Sequence, residues 1–131
     1  MKLVQIYQCL CDPTRLRILH LLSHTPLCVC HFQAVLQEPQ VKISKHLLYL
    51  KKHGMVEVQR HHNWRIYKLP AKQTYALRSH LKCLQDCIHE NRLFREDLRR
   101  LRMVTADATA ILDACCGVTA KGHSKQKAAC C

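Results

Sequence analysis

The chain has 131 residues, enough for one domain around one modest hydrophobic core. Its 21 lysines and arginines against 9 acids give a net charge of +12 and a pI of about 9.5, which favours a polyanionic partner and says nothing of fold. No apolar run reaches the roughly 18 residues of a membrane span, and Gln5, Gln8, Asp12 and Arg15 interrupt the N-terminal apolar stretch, so neither a membrane partner nor a signal peptide is expected and the protein is placed in the cytoplasm.

Apolar residues at 3, 4, 6, 7 and 10 predict a short first helix. Asp12-Pro13 reads as the start of a second, with Asp as N-cap and Pro at the first helical position. That helix carries Leu16, Ile18, Leu19 and Leu22 on one side, shows Arg15 and Arg17 on the other, and ends near Ser23-His24. Residues 29–37 predict a third helix with Phe32, Val35 and Leu36 inward. Glu38-Pro39-Gln40 is a tight turn. A fourth helix is predicted over 41–53, with Ile43, Leu47, Leu48 and Leu50 as its buried side and Gly54 as a left-handed cap. The period then changes. Met55, Val56 and Val58, and later Trp64, Ile66, Tyr67 and Leu69, flank a polar tip and predict a two-stranded hairpin. A long helix over 71–92, with Leu77, Leu81, Leu84 and Ile88 at helical spacing, and a further helix over 93–114 follow. Residues 1–115 thus form the expected domain, and 116–131 a mobile Cys- and Lys-containing tail.

Two short helices joined by a tight turn and followed by a hairpin make a winged helix-turn-helix, mainly α with a small β-hairpin (α+β). The fourth helix is then the recognition helix. Gln40, Lys42, Ser44, Lys45, His46 and Tyr49 are placed to face a major groove, where Gln suits adenine and Lys suits guanine acceptors. Lys51 and Lys52 suit phosphates. The wing offers Arg60, His61, His62, Asn63 and Arg65 for phosphate or minor-groove contact. Between 42 and 68 there are seven Lys or Arg and one acid, Glu57, more one-sided than a merely solvated surface. The 71–92 helix and the N-terminal helix are expected to form a homodimer interface, spacing two recognition helices about one turn of double-stranded operator DNA apart. Enzyme chemistry finds no support: there is no glycine-rich phosphate loop, no Ser-His-Asp candidate and no HExxH.

Ten cysteines in a reducing compartment point to soft-metal or redox chemistry rather than disulfides. They come in close pairs: Cys9/Cys11, Cys28/Cys30, Cys83/Cys87, Cys115/Cys116 and Cys130/Cys131. The segment from Asp12 to Leu19, the run Leu27-Cys28-Val29-Cys30, Lys42 to Leu47, and Gly54-Met55-Val56 together resemble the ArsR/SmtB family of metal-responsive repressors, over about residues 3–92. The Cys-Val-Cys resembles the arsenite-sensing members and also the cadmium/lead-sensing branch. The resemblance implies a dimer that binds operator DNA and leaves it when As(III) binds. The alternatives are Sb(III), Cd(II), Pb(II) or Zn(II), or a thiol redox regulator. The sequence departs from the arsenite pattern at His31, Phe32 and Gln33, where that pattern carries a third thiol.

Residues two apart in an ideal helix point about 200° from each other, so Cys28 and Cys30 converge on one centre only if the start of the third helix is non-helical or unwinds on binding. The third sulfur is left open among Cys9 or Cys11, Cys83 or Cys87, and the vicinal pairs from Cys115-Cys116 onward. Cys83 and Cys87 lie one helical turn apart and, with His80, suit a second site across the dimer or plain packing in its core.

Overall fold

A computed structural model describes residues 3–61 and 63–106. Among these residues the chain forms α1 (Leu3–Leu10), α2 (Pro13–Leu22), α3 (Val29–Leu36), α4 (Gln40–Lys52), β1 (Glu57–His61), β2 (Trp64–Lys68), α5 (Tyr75–Cys87), a 3-10 turn at Ile88–Glu90 and α6 (Arg92–Ala106). None of its helices is long and apolar enough to cross a membrane. His62 and residues 107–131 lie outside the described part. With them lie the Cys115, Cys116, Cys130 and Cys131 thiols, the end of the predicted last helix and the 116–131 tail.

Local chemistry writes the helix ends. The Asp12 carboxylate accepts the backbone N–H groups of Thr14 and Arg15 at 2.8 and 3.1 Å, and Pro13 opens α2. α3 stops at Gln37, which takes the left-handed conformation at φ 55°, a turn that residues other than glycine adopt at some cost. Gly54, at φ 72°, ends α4 as expected; the N–H of Met55 reaches the Leu50 carbonyl at 2.9 Å. The hairpin pairs Glu57 with Lys68 through to His61 with Trp64. One further bridge was not legible in the sequence: Leu27 and Tyr67 exchange both backbone hydrogen bonds, 3.0 and 2.8 Å, tying the wing to the residue before Cys28.

Ile6, Ile18, Leu19, Leu21, Phe32, Val35, Ile43, Leu47, Leu50 and Met55 are sealed from solvent in one core shared by α1 to α4. Three expectations need correction. Leu48 is 65% exposed, because α4 turns the Ile43–Leu47–Leu50 side inward and Leu48 falls outside that stripe. The 71–92 helix is shorter, Tyr75–Cys87; the chain tightens into the 3-10 turn and restarts as α6, so 71–74 are non-helical and the last helix begins at Arg92. Arg17, read as solvent-facing, is buried because α6 packs across α2 and α3 and presents Asp97 to it.

Candidate nucleic-acid interface and thiol site

α4 presents Lys42, Ser44 and Lys45 as exposed side chains, with Gln40 and His46 half-buried; Lys52 is exposed on the last turn. Lys42 is ion-paired with Glu38 at 3.2 Å, so a phosphate contact would exchange one anion for another. Tyr49 is half-buried, with the Arg15 guanidinium 4.2 Å above its ring and His53 tilted against it. Arg15 is itself anchored, its Nε donating to the Cys9 carbonyl and its Nη2 to the Gln8 carbonyl, both at 3.0 Å. It lines one groove with Lys42, Lys45, His46 and Tyr49. Sequence reasoning assigned Arg15 no role; only the packing of α1 and α2 behind α4 brings its charge to this groove. Burial and the cations Arg15, Lys42 and Lys45 hold His46 below the ordinary histidine range, against the pull of Asp12 3.9 Å away. On the wing Arg60, His61, Asn63 and Arg65 are exposed, and Arg60 stands directly opposite Arg65.

The thiol pair sits at the start of α3. Cys28 is the N-cap, extended at φ −98° and ψ 172°, and Cys30 is the second helical residue. Because Cys28 is outside the helix, the 200° divergence does not apply, and the two Sγ atoms lie 3.0 Å apart with α3 intact. The first of the two routes to convergence is the one observed, and unwinding is not needed. Cys28 is 1% exposed, and its N–H donates to His31 Nδ1 at 3.2 Å. The hydrogen bond with Cys30, helped by the His31 ring 3.4 Å from the sulfur, holds the Cys28 thiol far below its ordinary range despite burial.

The other cysteines are placed less favourably. Cys9 is buried in the core, where desolvation pushes its thiol up, and Cys11 is exposed. Cys83 and Cys87 are exposed on α5, and Cys83 raises the Cys87 thiol. His80 is committed elsewhere, with Nδ1 on the Ala76 carbonyl at 2.6 Å and Nε2 on the Tyr7 hydroxyl at 2.9 Å. Among the described residues no group of three His, Cys, Asp or Glu side chains is placed to hold a metal ion.

The model of bacterial regulatory proteins of the arsR family matches residues 12–58, from the α2 cap to the first wing strand. An uncharacterized HTH-type transcriptional regulator of Methanocaldococcus jannaschii is 42% identical over 67 residues, 50% of this chain and 75% of that protein. The chain belongs to the ArsR family. The arsenical resistance operon repressor of Escherichia coli is 39% identical over 67 residues, and the match spans 50% of this chain and 57% of that repressor. Among solved structures, HlyU of Vibrio cholerae superposes with a TM-score of 0.58 at 23% identity, over 63% of this chain and 87% of HlyU. The transcriptional repressor BigR of Xylella fastidiosa gives 0.57 at 22% identity, over 68% and 87%. At that identity the two structures establish the winged-helix fold alone. Family and fold are those of DNA-binding transcriptional regulators, not of enzymes.

Proposed function

We propose that this ArsR-family regulator is an operator-binding repressor that trivalent arsenic, as arsenite, or the chemically similar antimonite releases from DNA through the Cys28 and Cys30 thiolates. The observation that carries the reading is the 3.0 Å separation of the two sulfurs, one already favoured as thiolate. Two bonds of about 2.3 Å meeting at 90–100° hold their sulfurs about 3.3–3.5 Å apart, so chelation needs only a small spreading of the pair. The similarity to an arsenical resistance operon repressor points the same way. A third sulfur would come from a second subunit or from Cys115 or Cys116.

The route to DNA runs through two neighbours of the pair. Cys28 caps α3, the first helix of the helix-turn-helix, and Leu27 beside it holds the wing through Tyr67. Spreading the sulfurs would disturb the His31 contact at the start of α3, which packs against α4, and the Leu27 bridge that holds the wing. The ligand shifts DNA affinity only by as much as it prefers the disturbed form. The homodimer face would be the outer side of α1, where Leu3, Val4 and Tyr7 are 52%, 66% and 49% exposed, beside α5 through the Tyr7–His80 bond.

A mobility-shift titration of an operator duplex with arsenite, antimonite, cadmium, lead and zinc tests the reading. Arsenite or antimonite is expected to release DNA at the lowest concentration. Release by cadmium, lead or zinc alone would move the assignment to a divalent metal. Release by a thiol oxidant, with no response to any of the five, would make the pair a redox switch.

A further inference from the structure

A second pair of side chains, unused by the thiol site, has the geometry of a chelate. His20 lies in the last turn of α2 and His24 in the turn that follows the helix, and their Nε2 atoms are 3.3 Å from each other. Two bonds of about 2.0–2.1 Å to a tetrahedral metal ion hold their nitrogens about 3.3–3.4 Å apart, so the rings already stand at the bite of a bidentate site. Their planes are crossed at 85°. His20 is 1% exposed and braced edge-on by Phe94 of α6 with ring centroids 5.6 Å apart, which fixes its direction; His24 is exposed and gives access from solvent. His20 Nδ1 is buried without a hydrogen-bond partner among the described residues, so no acceptor ties the ring to another task.

We propose that His20 and His24 form a binding site for zinc(II) that uses neither Cys28 nor Cys30. Both Nε2 lone pairs go to the ion. The proton now held between the two nitrogens moves to the Nδ1 atom of the ring that carried it, and both rings stay neutral. Water fills the remaining positions. Imidazole nitrogen suits zinc(II).

The test is a zinc titration of the full chain, followed by the long-range proton–nitrogen spectrum of the histidine rings, with zinc carried past the capacity of its ten thiols. The Nε2 signals of His20 and His24 are expected to move together. His24→Ala, at an exposed position, is expected to weaken the response at His20 at least tenfold. Trp64, the single tryptophan, reports whether the variant is folded. A His20 signal that stays still at saturating zinc, or that moves equally in His24→Ala, overturns the proposal. Arsenite-driven release of operator DNA is expected to be unchanged in His24→Ala, so the two readings stand or fall separately.

Discussion

Arg17 and Asp97 are 80 positions apart in the sequence, yet they make two parallel hydrogen bonds of 2.7 and 2.8 Å at a carboxylate with no exposed surface. Asp97 raises the Arg17 pKa further, and the same guanidinium bonds the Leu36 carbonyl at the end of α3 at 3.1 Å. Removing Asp97 leaves the buried guanidinium with only the longer Glu38 contact at 3.8 Å and the Leu36 carbonyl, and breaking a buried pair in this way costs about 3–5 kcal/mol. Asp97→Ala is therefore expected to lower stability in urea by that amount, read from Trp64 fluorescence; a loss under about 1 kcal/mol would mean that α6 is not docked through this pair. His20 makes a different prediction. Burial, with the charge of His24 second, lowers its pKa to about 4. Between about pH 6.5 and 4 the unfolded chain then binds the proton that the folded one refuses. Its contribution is intact above about pH 6.5 and is lost as pH falls toward 4. The stability difference between the wild type and His20→Gln should shrink over that window; a difference independent of pH contradicts a neutral buried ring.

Elements whose ends are written by neighbouring residues were legible in the sequence, and elements fixed by distant contacts were not. Asp12-Pro13 and Gly54 carry their own stereochemistry, and α2 begins and α4 ends where those residues dictate. The Cys-Val-Cys was legible as a thiol pair, but its geometry was not. Whether Cys28 is the cap or the first helical residue depends on Leu27 being held by Tyr67, forty residues on. Arg17 read as solvent-facing because its partner lies on a helix that sequence periodicity could not dock. The wing carries its own test. Arg60 and Arg65 face each other in register, and like charges so placed cost about 0.2–1 kcal/mol. Arg60→Thr is expected to raise stability by up to about that much while weakening DNA binding and reducing the slope of log affinity against log salt by about one. An unchanged slope would remove Arg60 from the phosphate contacts.

At the scale of the whole molecule, charge, groove and wing converge on one partner. The α4 surface and the wing tip carry basic side chains, while of the acids near them Asp12 is engaged by the first N–H groups of α2 and Glu38 by Lys42 and Arg17. The outer face of α1 is left apolar, as the proposed homodimer requires, and Tyr7→Glu is expected to shift the protein toward monomer in sedimentation velocity; an unchanged sedimentation coefficient would contradict the proposed dimer face. The central claim is that the Cys28–Cys30 pair gates this surface. Fluorescence anisotropy of a labelled operator duplex at fixed salt, with and without saturating arsenite, measures it directly. The account predicts that arsenite weakens operator binding by the wild type at least tenfold, a coupling of about 1.4 kcal/mol or more, and leaves Cys28→Ser and Cys30→Ser bound. Both variants releasing DNA at the wild-type arsenite concentration would contradict it.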